Sequence, residues 1–300
     1  MIKLLPEEHA PLAEYIHSVC AITLDQSKAY LIESRLGRLA EEAGCGSFLE
    51  LLRRARCDPG RTLERRIIDA ITTGETLFFR DTTPFDLLRS KIVPELIDRR
   101  SRSGPARLRI WSAACSTGQE IYSIAMLLKE LLGDPDRYGV RLLGTDISDQ
   151  AVTRASRGIY SPIEISRGLT DDQRTRYFMP AGGGWQIRDE IRAMASFKKI
   201  NLMQDFAALG KFDVIFCRNV AIYFSEQDKG SLFRRVAQSM EPDGYLLIGA
   251  MESLGATCPH FESKRHMRSV FYQLKGSTGM APQVTGVRSV VLPPSYVSSL

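Results

Sequence analysis

Apolar residues recur at helical spacing through the first seventy positions. Leu12, Ile16 and Val19, with Tyr15 beside them, predict a helix over 7–20, entered through Pro6 in its first turn. Leu31, Ile32, Leu36 and Leu39 repeat the pattern over 25–42, and Gly44 is placed to stop it. Shorter helices fit 47–57 and 61–71, separated by the turn Asp58-Pro59-Gly60. Residues 1–75 thus predict a small all-helical domain.

The pattern then changes. Thr82 and Thr83 before Pro84 open a helix carrying Phe85, Leu88, Ile92 and Leu96, which ends at the polar run 99–105. Strands and helices alternate from there: strand 108–113, helix 120–132, strand 140–147. After an irregular middle comes the apolar run Phe212–Cys217, suited to a buried parallel strand. A helix over 227–240 and strands at 244–250 and 269–274 complete the series. This alternation predicts a doubly wound α/β sheet. From about 160 to 202 the rhythm fails, and Gly182-Gly183-Gly184 before Trp185-Gln186-Ile187 predicts a hairpin in a small β-rich insertion. Residues 277–300, rich in Gly, Ser, Pro and Val without periodicity, predict a mobile tail.

Composition narrows the class. Hydrophobic residues make up 44% and charged residues 25%, an ordinary globular balance. The 40 Lys and Arg exceed the 35 Asp and Glu by only five, too small and dispersed an excess for a nucleic-acid-binding protein. Pro6, Glu7 and Glu8 fall where a signal peptide keeps its apolar core, and no stretch approaches the ~20 apolar residues of a membrane span. Six scattered cysteines without a C-x-x-C pair, and four histidines, suggest neither zinc nor disulfides. A cytoplasmic location follows as the expectation.

The candidate chemistry begins at Ile110–Glu120 (IWSAACSTGQE), which joins the first α/β strand to its helix at the carboxyl end of the sheet, where ligands of such folds bind. Its small residues admit a ligand close to the backbone. It has neither G-x-G-x-x-G nor G-x-x-x-x-G-K-[ST], so dinucleotide and P-loop sites lose support; a plain tight turn is the competing reading. Asp146 closes the second strand, where an acid accepts hydrogen bonds from ribose hydroxyls. It could instead cap the next helix, a task equally open to Ser148. Glu120 either meets the positive end of a ligand or complements the helix macrodipole. Asn219-Val220 lies at the same edge of the sheet, to bond an adenine ring or an amino-acid head group, or to close a loop. The small-residue turn and Asp146 together favour a nucleoside-bearing cofactor.

In order and spacing, these pieces resemble the chemotaxis receptor methyltransferase family, the CheR-type protein-glutamate O-methyltransferases of bacteria. The matching stretches are Thr72–Arg80 (TTGETLFFR), Trp111–Glu120 with Tyr122-Ser123, Gly144–Ser148 (GTDIS), Asn201-Leu202 and Phe212–Phe224 (FDVIFCRNVAIYF). Gly158-Ile159-Tyr160 and Pro242–Tyr245 also fit, and the resemblance covers about residues 5–275. It implies a class I S-adenosylmethionine-dependent methyltransferase sheet over 76–276, with the helical domain before it and the insertion, about 160–202, within it. Thr76, Arg80, Glu120, Asp146, Asn201, Leu202, Asn219 and Val220 are the implied contacts for S-adenosylmethionine and its product S-adenosylhomocysteine, without a metal. Gly74 stands where the family often has asparagine, which implies altered cofactor affinity rather than lost activity.

A glutamate carboxylate is already ionised at neutral pH, so its methylation needs no general base, and the sequence offers none. Arg80 is the expected orienting group, since a guanidinium fork matches a carboxylate. Tyr223 either walls the site or packs in the core. On the helical domain Lys28, Arg35, Arg38, Arg53 and Arg54 form an expected docking surface for methyl-accepting chemotaxis proteins. Ten basic residues stand against eleven acidic ones in the first 70, so a solvated face is the competing reading. The short Pro180–Gly184 turn implies that no receptor tail peptide is needed, and the protein is expected to be monomeric. Two other functions stay open: methylation of RNA or a small molecule on the same fold, and a cofactor-binding regulator without turnover.

Overall fold

The computed structural model describes residues 2–102 and 106–276. The tail expected at 277–300 lies outside the described residues. Four helices come first: α1 (Pro6–Cys20), α2 (Ala29–Glu42), α3 (Phe48–Arg56) and α4 (Thr62–Ile71). Each turns one apolar stripe inward, and Leu12, Ile16, Ile32, Leu36, Phe48 and Ile67 are fully buried in a shared cluster. Gly44 follows α2 in the left-handed region at φ 65°, and the Ser47 side chain caps α3 by accepting from the Glu50 amide.

After an irregular stretch come α5 (Thr83–Leu87), a π-helical turn (Leu88–Ile92) and α6 (Val93–Ser101). The unbroken helix expected here is interrupted because Pro94 has no N–H for the carbonyl four residues back, and its ring displaces the preceding turn. The chain continues through β1 (Arg109–Ala113), α7 (Gln119–Leu132), β2 (Arg141–Asp146) and α8 (Asp149–Arg157). Next are β3 (Ile159–Tyr160), α9 (Pro162–Ser166), α10 (Asp171–Tyr177), β4 (Phe178–Ala181), β5 (Gly184–Ile187), α11 (Asp189–Arg192) and β6 (Ala195–Lys199). It closes with β7 (Phe212–Cys217), α12 (Glu226–Gln238), β8 (Met240–Ile248), β9 (Phe261–His266) and β10 (Ser269–Leu274).

The main sheet runs β6-β2-β1-β7-β8-β10-β9. Its first five strands are parallel, and β10 and β9 add antiparallel pairs at one edge. Apolar clusters cover both faces, which is why β7 is buried along its whole length and reads as a continuous apolar run. The stretch expected as an insertion divides in two. The three-stranded antiparallel sheet β3-β5-β4 ends at Ile187, whereas Ala195–Lys199 returns to the main sheet beside β2. Phe197 on that strand covers Gly144 so closely that a Cβ there would stand 2.8 Å from its ring and 2.9 Å from Cys115 Sγ. Gly182 and Gly183, at φ 55° and 81°, make the tight turn between β4 and β5.

Candidate functional site

From β1 the chain winds outward through β2 to β6 on one side and then crosses back to β7 on the other side of β1, and a crevice opens where such directions diverge. A cavity of about 290 Å³ lies there, at the carboxyl ends of β1, β2 and β7. The helical domain supplies one wall through Cys20, Ile22, Asp69 and the segment after α4. Among the contacts that hold it in place, Asn201 Nδ2 donates to Val19 O (2.8 Å), the Thr23 amide donates to Tyr223 O (2.9 Å), His17 Nε2 meets Asp228 Oδ2 (2.8 Å), and Ile147 packs on the helical core.

All the residues expected at a cofactor and reaction site line this one cavity: Thr76, Arg80, Glu120, Asp146, Asn201, Leu202, Asn219, Val220 and Tyr223. Their local duties differ. Asp146 accepts from the Ser116 amide at Oδ2 and from the Ser148 amide at Oδ1, both at 2.9 Å, while Ser148 Oγ caps α8 by accepting from the Ala151 amide (3.0 Å). The capping task therefore belongs to Ser148, and Asp146 stays turned to the cavity. Burial raises the Asp146 carboxyl above its ordinary range, against the pull of backbone amides, and the charge of Asp69 adds to the rise.

Glu120 stands in the first turn of α7 behind Gly118, which is left-handed at φ 95°. Its Oε1 accepts from Ser112 Oγ (2.7 Å) and its Oε2 from Arg218 Nη1 (2.8 Å). Asn219 is left-handed (φ 57°), and its amide donates to Glu252 Oε2 (2.6 Å). Asn201 reaches the cavity edge with its side chain already engaged, since its Oδ1 also accepts from the Met203 amide (2.9 Å). Its remaining offer to a ligand is a second amide hydrogen and the backbone. Tyr223 lines the cavity and also packs on the core beneath. Gly74 O accepts from Ser116 Oγ (2.9 Å), and a Cβ at 74 would meet only that hydroxyl, at 3.4 Å.

Arg80 sits between two left-handed residues, Phe79 (φ 50°) and Asp81 (φ 55°). The Phe79 amide donates to Ser123 Oγ (2.9 Å), and Arg80 Nη1 donates to Glu75 O (2.9 Å). The residue that sequence reasoning left without a role is Arg218, whose side chain is 2% exposed. Its Nη2 donates to Arg80 O (2.7 Å) and pairs with Asp81 Oδ2 (2.9 Å), while Nη1 holds Glu120. A charged residue directly after a buried apolar strand is the one signal in the sequence that marks it.

The five basic residues expected to dock a partner lie outside the cavity. Arg35 Nη1 donates to Ile71 O (2.6 Å) and Thr73 Oγ1 (3.0 Å), which ties down the segment leading into the site. Arg54 pairs with Glu50 and donates to Ala43 O and Gly44 O, and Arg38 pairs with Glu42. Lys28 stands 3.7 Å from Asp25, and Arg53 is exposed on α3. No helix among the described residues is long and apolar enough to cross a membrane.

Comparison with known proteins agrees with this arrangement. The CheR methyltransferase all-alpha domain matches residues 7–72, and the CheR methyltransferase SAM-binding domain matches residues 74–270. The chemotaxis protein methyltransferase Cher2 of Pseudomonas putida is 41% identical over 267 residues, covering 87% of this chain and 95% of that protein. Chemotaxis protein methyltransferase 1 of Pseudomonas aeruginosa is 40% identical, with coverages of 87% and 95%. The chemotaxis protein methyltransferase of Vibrio parahaemolyticus is 38% identical, with coverages of 91% and 99%. With both family domains matched in order, and relatives this similar along nearly their whole length, the chain belongs to the CheR methyltransferase family.

Proposed function

We propose that this protein is a protein-glutamate O-methyltransferase that uses S-adenosylmethionine to esterify glutamate side chains of methyl-accepting chemotaxis receptors, working in the cytoplasm as a monomer. The observation that carries the reading is the single cavity in which an acid at the end of β2, an acid at the start of α7 and an arginine on a strained turn meet.

The donor set fits the cofactor. Asp146 would receive the ribose hydroxyls, and Leu202 and Val220 would flank the adenine ring. Glu120 lines the cavity with its carboxylate held by Ser112 and Arg218, where it would meet the ammonium end of the cofactor. When bound, S-adenosylmethionine supplies a methyl group activated on a sulfonium. Arg80 binds and aims the receptor carboxylate, Tyr223 closes the wall beside it, and the helical domain keeps water off the nucleoside end. An ionised carboxylate is its own nucleophile, so positioning is the main task, worth about 7–11 kcal/mol of barrier at near-attack geometry.

The test is transfer of radiolabelled methyl groups to purified receptor cytoplasmic fragments. Volatile label released by base identifies a carboxyl ester. No label despite measurable binding of S-adenosylhomocysteine would favour a regulator or another substrate.

Two features of receptor engagement belong to the same reading. The basic face of the helical domain, with Arg53 exposed on α3, steers an acidic receptor helix, so the KM for receptor should rise several-fold between about 0.05 and 0.5 M salt. A KM insensitive to salt would remove that role. The two-residue turn between β4 and β5 leaves a small sheet that works without a receptor tail; tight binding of a tail peptide in calorimetry would contradict this.

A further inference from the structure

The guanidinium of Arg218 is almost wholly buried and reaches three acceptors that belong to two parts of the site. One is the Glu120 carboxylate on α7. The others are the Arg80 carbonyl and the Asp81 carboxylate, on the turn that carries Arg80. That turn holds left-handed Phe79 and Asp81 on either side of Arg80, a conformation that costs ~1–2 kcal/mol for each such residue. Strain of this kind persists only where the surroundings over-determine the backbone. Here Ser123 Oγ accepts from the amide of Phe79, while Arg218 holds the other end. The Nε of Arg218 is buried without a hydrogen-bond partner among the described residues, so the side chain's polar bonding is concentrated in its two terminal nitrogens.

We propose that Arg218 is a positioning residue that locks the Arg80 turn to Glu120, so that occupancy of the cofactor's amino-acid end at Glu120 and the aim of the Arg80 guanidinium are set together. The inference rests on the methyltransferase reading of the site and deepens it, because cofactor loading then prepares the enzyme for the receptor carboxylate. A single lysine ammonium keeps the buried charge but presents no fork, so it cannot bridge both parts of the site in the same geometry.

Three measurements test this. Hydrogen exchange is followed at the amides of residues 79–81 with and without S-adenosylhomocysteine. In the wild type the ligand should slow exchange there, and in Arg218→Lys the slowing should vanish although calorimetry gives a Kd within about threefold of wild type. In steady-state assays Arg218→Lys should lower kcat about 30–100-fold with receptor KM changed less than about threefold, the signature of misplacement rather than lost binding. Asp81→Asn, which keeps the arginine, should lower kcat about tenfold in the same pattern. In an Arg80→Ala background the Arg218→Lys change should cost less than about threefold, because the group it aims is gone. Ligand-induced slowing that survives in Arg218→Lys, or losses that multiply in the double variant, would overturn the proposal. A wild type with coupled exchange but no methyl transfer would refute the catalytic reading alone.

Discussion

Arg80→Ala should lower kcat for receptor methylation on the order of 100-fold while the fold is retained. The side chain makes its hydrogen bond to Glu75 O from a partly exposed position, so little packing is lost with it. What disappears is the charged fork proposed to align a carboxylate with the methyl donor. Because the interaction matters most as charge and geometry reorganise, the loss should fall more on kcat than on KM. Arg80→Lys should recover part of the activity, since charge remains and bidentate geometry does not. The check is base-released label from receptor fragments under saturating cofactor. Activity within about threefold of wild type in Arg80→Ala would transfer the orienting role to another group, with Tyr223 the next to examine.

Asp146→Ala should weaken S-adenosylhomocysteine binding about 100-fold in calorimetry. Two hydrogen bonds to a charged acceptor contribute ~1.5–3 kcal/mol each, and partial compensation by water brings the sum toward ~3 kcal/mol. The alanine also strands the amides of Ser116 and Ser148, so a lower Tm should accompany it. Asp146→Asn separates the two effects, because one carbonyl oxygen still accepts from the backbone while the charge is lost. A Kd for Asp146→Asn within about threefold of wild type would mean that the residue only shapes the turn. The pH dependence has a defined sign. Burial raises the folded-state pKa of Asp146, so its proton returns at a higher pH than for an exposed aspartate. Cofactor affinity should therefore be full at neutral pH and fall on acidification, beginning above the ordinary carboxylate value of ~3.9.

Much of the architecture was legible in the chain, and the exceptions have common causes. The four N-terminal helices follow from apolar stripes of period 3.6, and β7 from six residues buried without interruption. β6 and β9 were missed as members of the main sheet. Both are edge strands, with exposed or half-exposed Lys198, Lys199, Glu262, Lys264 and Arg265, so they carry no apolar run to announce them. The π turn before Pro94 keeps the same apolar face inward and left the helix pattern unbroken. At the site, Glu120, Asp146, Asn219 and Val220 were read from their places at strand and helix ends, the family resemblance implied Thr76, Arg80, Asn201 and Leu202, and all of these line one cavity with Tyr223. Neither source revealed that Asn201 spends its side chain joining the two domains, or that Arg35 braces the Thr72–Arg80 segment instead of standing free on the surface.

By itself, then, the sequence determined the helical domain, the alternating α/β order and the place of Glu120, Asp146, Asn219 and Val220 at the carboxyl edge of the sheet. These follow from burial period and from residue types at strand and helix ends, which are properties of short stretches, whereas Thr76, Arg80, Asn201 and Leu202 came from the family resemblance. Only the tertiary structure decided which edge strands complete the sheet, that Ser148 rather than Asp146 caps α8, and that one buried guanidinium joins Glu120 to the Arg80 turn. Each of those depends on which acceptor a polar group meets across the fold: Arg218 lies 98 residues from Glu120 and 137 from Asp81 along the chain. A buried cation must be paired wherever the fold brings carboxylates to it, and no local pattern specifies that partner.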